Sequence, residues 1–247
     1  MIVRILVVII LVLIAGYIVR DVRLLRASTH LFAISDQFPH QYQVGSTDDP
    51  PFLCVVLGDS TMAGSGVERY EETLPYLIAT HIAEQKHLVR VINVAQSGAR
   101  IADVAEKQWP EVQKLLPDLV LVSVGANDAT HFTSLKDYTS SIEALVQDFS
   151  QLSHARVVWA TAPDMHTIPA LPKVLTYFVG KRSQQQNALV QRKTAKDTFV
   201  ILANIYDEAK LDYDKDHSLY APDLFHPSAK GYTLWADVSV RAVDTTK

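Results

Sequence analysis

The sequence predicts an α/β fold: a three-layer, doubly wound sandwich around a central, mostly parallel sheet of five strands. Three observations lead there. Short runs rich in Val, Leu and Ile recur along the chain, nearly continuous rather than alternating, as in parallel strands covered on both faces. Between them lie stretches with apolar residues at three- and four-residue spacing, the helical period. The polar motifs fall where the apolar runs end, which is where open α/β sheets bind ligands.

The strands are expected at 53–57, 88–94, 118–124, 155–161 and 198–202. Leu74, Leu77, Ile78, His81 and Ile82 form one helical stripe. Ile101, Val104, Ala105 and Val112, with Leu115 and Leu116, form a second; Ile142, Leu145, Val146 and Phe149 form a third. Asn187 is expected on a helix, bonded to a nearby loop. Trp109, Trp159 and Trp235 are expected in the core, where large aromatics bury most surface. Ile168 to Val179 is too apolar for an ordinary loop and is broken by prolines. It reads as a segment folded back on the core, ahead of a flap over the site.

Composition narrows the function. The chain has 247 residues, 48% of them hydrophobic, enough for one sizeable core. Its net charge is −4 with no basic cluster after residue 26, which argues against nucleic acid as a partner. The single cysteine, Cys54, sits inside an apolar run and reads as a buried thiol. No His-x-x-x-His or Cys-x-x-Cys spacing is present, so no metal site and no cofactor are expected.

Residues Ile5 to Val19 contain only Ile, Leu, Val, Ala, Gly and Tyr. With Met1 to Val3 the stretch approaches the ~20 residues that cross a bilayer. The flank from Tyr17 to Arg23 lacks the small-residue pattern of a signal cleavage site. Residues 1–26 therefore read as an uncleaved single-pass membrane anchor, 27–51 as a turn-rich linker and 52–247 as the single globular domain, the one that carries the motifs below. Arg20, Arg23 and Arg26 after the span would keep the domain in the cytoplasm by the positive-inside rule. Short N-terminal anchors more often export the domain they carry, which points the other way, and an extracytoplasmic domain is the expectation.

The motifs carry the chemistry. Leu53-Cys54-Val55-Val56-Leu57 runs into Gly58-Asp59-Ser60, and Asp223-Leu224-Phe225-His226-Pro227 comes near the end. A serine hydroxyl hardly ionises at neutral pH. It needs a base for its proton, and the base needs a third group to orient it. The chain offers Ser, Asp and His in that order. Asn93-Val94-Ala95-Gln96-Ser97-Gly98 follows the second strand run, and Gly125-Ala126-Asn127-Asp128 the third.

These four blocks, in this order and each at a strand end, resemble the SGNH (GDSL-type) hydrolases over about residues 52–240. The resemblance implies Ser60 as nucleophile, His226 as base and Asp223 as the group orienting it. It implies an oxyanion hole from the Ser60 N–H, the Gly98 N–H and the Asn127 side-chain amide. Thr61 stands where the family pattern has Leu. The Gly-x-Ser-x-Gly elbow of α/β-hydrolases is absent, with Met at position 62.

Rival readings are weaker. Asp59 and Asp128 read as loop-shaping carboxylates. Asp164/His166 and Asp216/His217 lack the two-residue spacer and the following Pro. Ser228 reads as a helix N-cap. His131 and Phe132 fit a pocket wall or a surface loop equally. The function implied is a serine esterase acting on a lipid acyl ester, lysophospholipid, thioester or carbohydrate O-acetyl group. An acyltransferase with the same residues, or an idle membrane-tethered binding module, are the alternatives.

Overall fold

Continuous Val/Leu/Ile runs need an apolar surface on each side, and the sheet supplies it. The computed structural model describes residues 4, 5, 7–17, 19, 20, 35–46, 50–152 and 154–245. Within them the strands are β1 (Gln41–Gly45), β2 (Phe52–Gly58), β3 (Leu88–Asn93), β4 (Leu119–Ser123), β5 (Arg156–Ala160) and β6 (Val200–Ala203). Their order is β1-β3-β2-β4-β5-β6. β3, β2, β4, β5 and β6 run parallel.

The side-chain alternation of β2 shows why its run is unbroken. Cys54 and Val56 enter one core with Leu74, Ile78, Ile82 and Trp235. Val55 and Leu57 enter the other with Ile101, Val104, Ile142 and Phe149. Helices Leu74–Lys86 and Ala229–Asp244 cover the first face. Residues 101–112 and helix Leu135–Phe149 cover the second. Thr73, Ser134 and Ser228 cap their helices by accepting from Tyr76, Asp137 and Gly231 N–H groups. All three tryptophans are buried, as is Cys54, whose thiol burial pushes up to about 12 with help from the Asp118 charge.

Several expectations are corrected. The sheet has a sixth strand: β1 pairs antiparallel with β3, Gln41 opposite Ile92. It lies in the segment read as a linker. Its sequence Gln-Tyr-Gln-Val-Gly is polar and largely exposed, which suits an edge but hides a strand. Leu115 and Leu116 leave the second stripe, because its helix stops at Val112; Leu116 has φ +51° and is exposed. Ile168–Val179 divides its surfaces. Ile168 and Val179 are buried, but Lys173 opens a helix to Thr194 that exposes Val174, Tyr177 and Phe178.

Among the described residues no helix is long and apolar enough to cross a membrane. This overturns the expected single-pass anchor and the extracytoplasmic placement built on it. Residues 1–3, 6, 18, 21–34 and 47–49 of the expected anchor and linker lie outside the described residues.

Candidate active site

Three of the four predicted blocks follow the carboxyl ends of strands β2, β3 and β4, and the fourth, Asp223 to His226, lies in a loop before the last helix. β2 ends at Gly58, whose φ is +142°. A Cβ there would lie 2.1 Å from the Ser123 carbonyl of β4, so only glycine allows this approach. Asp59 follows as N-cap of the short helix Ser60–Ala63, accepting from the Thr61 N–H at 3.0 Å. Ser60 thus leaves the strand on a sharp turn.

The loop 220–228 brings in the other two groups. Its ends are tied by the Tyr220–Pro227 bridge and by the Ala221 N–H donating to the His226 carbonyl at 2.8 Å. Leu224 takes φ +58° inside it. Asp223 Oδ1 accepts from the N–H groups of Phe225 and His226 at 2.9 and 3.0 Å. Its Oδ2 lies 2.6 Å from His226 Nδ1, and His226 Nε2 lies 2.9 Å from Ser60 Oγ. In the tautomer with Nδ1–H donating to Asp223, Nε2 accepts the Ser60 hydroxyl proton. All three residues are buried.

Charge placement follows. Burial pushes the Asp223 carboxyl up, but the hydrogen bond and charge of His226 and the two N–H donors outweigh it and hold the group below its ordinary value. Asp59 goes the other way. Burial raises it to about 6 against the Thr61 hydrogen bonds and the His226 charge. Burial also raises Asp128, whose Oδ2 accepts from the Ile101 N–H at 2.9 Å. Both carboxylates hold loops, as expected of them.

Gly98 has φ +83°, and nothing lies within 4 Å of where a Cβ would stand. Its loop is tied to the serine strand by the Gln96 N–H donating to the Gly58 carbonyl at 3.1 Å. Asn127 opens the segment after β4, and its Nδ2 donates to the Ala99 carbonyl at 3.1 Å. The Ser, Gly and Asn loops are therefore bonded to one another, Gly58 standing opposite Ser123 in the β2–β4 register.

The rival pairs have other partners. Asp164 binds His166 Nδ1 and Lys210 Nζ, each at 2.7 Å. Asp216 binds Lys230 and Ser218. His131 and Phe132 are surface residues; His131 Nδ1 lies 2.8 Å from the Asn127 carbonyl oxygen. Asn187 Nδ2 reaches the Ala162 carbonyl at 3.0 Å from its helix, as expected.

Two residues to which the motif reading assigned no role grip the serine turn. Asn93 Nδ2 donates to the Met62 carbonyl at 2.8 Å, and its Oδ1 accepts from the Ala95 N–H. Gln108 holds both backbone groups of Gly58 at 2.8 Å. Its one sequence signal is a lone carboxamide in an apolar stripe. A small cavity of about 20 Å³ reaches Ser60 and His226 between Ala126, Met165, Ile168 and Phe225.

A doubly wound sheet with Ser, Gly and Asn blocks at its strand ends, and an Asp-x-x-His loop brought against them, defines the SGNH class of ester hydrolases. The chain belongs to the GDSL-like Lipase/Acylhydrolase family, whose pattern residues 56–234 match. It is 30% identical over 190 residues to the GDSL-like esterase Rv1075c of Mycobacterium tuberculosis (strain ATCC 25618 / H37Rv). That match covers 74% of this chain and 59% of the relative, so the chain spans under two thirds of that relative's length. The lipase/acylhydrolase from Enterococcus faecalis shares the fold with TM-score 0.61 and 24% identity, over 78% of this chain and 96% of that one. The psychrotrophic esterase EstA from Pseudoalteromonas sp. gives TM-score 0.59 and 22% identity, over 79% and 98%.

Proposed function

We propose that this domain hydrolyses carboxylic esters with Ser60 as nucleophile, His226 as general base and Asp223 as its orienting partner. The observation that carries this reading is the 2.9 Å contact between Ser60 Oγ and His226 Nε2, with Asp223 on the opposite ring nitrogen. As Oγ bonds to the ester carbon, its proton passes to Nε2 and the carbonyl electron pair moves onto oxygen. The N–H groups of Ser60 and Gly98 and the Asn127 amide receive that oxyanion. Asn127 Nδ2 has two hydrogens. One is spent on Ala99, which orients the group, and the other is left for substrate. Collapse breaks the C–O bond, and the departing alkoxide takes the proton from Nε2. Water repeats the sequence on the acyl-serine and releases the acid.

The acyl side is the small apolar cavity beside Ser60. Its volume, about 20 Å³, is close to the ~10–15 Å³ that admits one water, which favours short acyl esters in this reading.

A fluorophosphonate probe tests the assignment. It should label the wild-type chain and leave Ser60→Ala unlabelled, with p-nitrophenyl acetate turnover lost in parallel. Equal labelling of the two would refute it.

A further inference from the structure

A strand end that turns sharply must find partners for backbone groups that have left the ladder. At Gly58 the partner is a side chain. Gln108 Oε1 accepts from the Gly58 N–H and Gln108 Nε2 donates to the Gly58 carbonyl, both at 2.8 Å. The Gly58 carbonyl also receives the Gln96 N–H, from the loop that leads to Gly98. One buried carboxamide thus stands in for a neighbouring strand two residues before Ser60.

Gln108 reaches this place from a π turn, Val104–Gln108, set between two α-helical segments. Such turns insert one extra residue into a helix and recur at functional sites. The other inward residues here, Ile101, Val104, Trp109 and Val112, are apolar, whereas Gln108 is 1% exposed. The first turn of the same segment is tied elsewhere: the Ile101 N–H donates to Asp128 Oδ2, next to Asn127. Residues 101–112 therefore span the three loops that supply the oxyanion donors, and Gln108 closes the bracket on the serine side.

We propose that Gln108 is a positioning residue for the reaction. It fixes Gly58, and through Gly58 the spacing between the Ser60 and Gly98 N–H groups, so that both meet one oxyanion. The proposal rests on the Ser60 assignment made above. Gln108 touches no substrate; its effect passes through the backbone it holds.

The test compares Gln108→Met, which keeps length and removes both hydrogen bonds, with Gln108→Asn, which draws the carboxamide back by one methylene. Each is assayed with p-nitrophenyl acetate for kcat and KM, for its rate of fluorophosphonate labelling and for its melting temperature. The expected result is a folded protein with KM within about twofold of wild type. Its kcat and labelling rate should both fall roughly 10- to 100-fold, the range a ~1 Å misplacement carries. A folded Gln108→Met with wild-type kcat and labelling rate overturns the proposal. If that variant does not fold, full kcat in Gln108→Asn overturns it. Failure of both to fold assigns the residue to core stability alone and also overturns it. Ser60→Ala is run alongside. Activity surviving there would sink the nucleophile assignment itself, whereas its loss beside a fully active Gln108→Met would sink only the role of Gln108.

Discussion

Asp223 grips His226 twice, taking its backbone N–H on Oδ1 at 3.0 Å and facing its ring Nδ1 with Oδ2 at 2.6 Å. The same carboxylate therefore fixes where the histidine sits and which tautomer it holds. Asp223→Asn keeps the size but offers a competing donor to the ring. By the behaviour of buried orienting carboxylates, kcat should fall roughly 10³- to 10⁴-fold with the fold retained. Circular dichroism and steady-state kinetics check this, and a folded Asn variant within tenfold of wild type would remove Asp223 from the mechanism.

Asn127 is expected to act only when the oxyanion exists. Asn127→Ala should lower kcat roughly 10²- to 10³-fold and leave KM nearly unchanged. Because Nδ2 also holds the Ala99 carbonyl, a modest drop in melting temperature should accompany it. A stable Ala variant with near-normal kcat would be fatal to the oxyanion assignment.

Asp59 should make stability fall as pH rises. Its folded pKa, about 6, lies above the ordinary 3.8, so the native state holds the extra proton between those values. Stability from this group is then greatest below pH 4 and lost as pH rises through about 6, by on the order of 3 kcal/mol at ~1.36 kcal/mol per unit. Asp59→Asn still caps the helix but removes the titration. Denaturant melts of both chains should diverge between pH 4 and 7, with the Asn variant gaining. Parallel curves would show that Asp59 is ionised throughout.

The cavity predicts acyl specificity. p-Nitrophenyl acetate should be turned over faster than the octanoate. Ile168→Ala opens the wall and should raise the octanoate-to-acetate ratio of kcat/KM roughly 10- to 50-fold, as two or three methylenes at ~0.8 kcal/mol each allow. An unchanged ratio in a folded variant would place the acyl group elsewhere.

The parallel strands are legible because burial on both faces leaves only Val, Leu and Ile to choose from, as in β2 and β4. β1 is not legible, since Gln41, Gln43 and Gly45 face solvent and carry no apolar signal. Leu115 and Leu116 mislead for the opposite reason: they keep the helical period after the helix has stopped at Val112. Ser60, Asp223 and His226 can be read because the proposed chemistry restricts their types and spacing. Gln108 cannot, because its task is to bond a main chain, and nothing local says which main chain a glutamine will meet. The N-terminal run misleads because apolar composition alone does not make a spanning helix, and among the described residues no helix is long and apolar enough to be one.

β1 also decides how the sheet ends. Its antiparallel pairing with β3 covers one margin with a short strand whose Tyr42 rests against Tyr70 and Tyr76, with ring centroids 5.5 and 5.8 Å away. A chain cut after Gly45 would bare the N–H and C=O row of β3, an open template for another copy of itself. Self-association of such a fragment would begin at that margin, which β1 covers in the intact sheet.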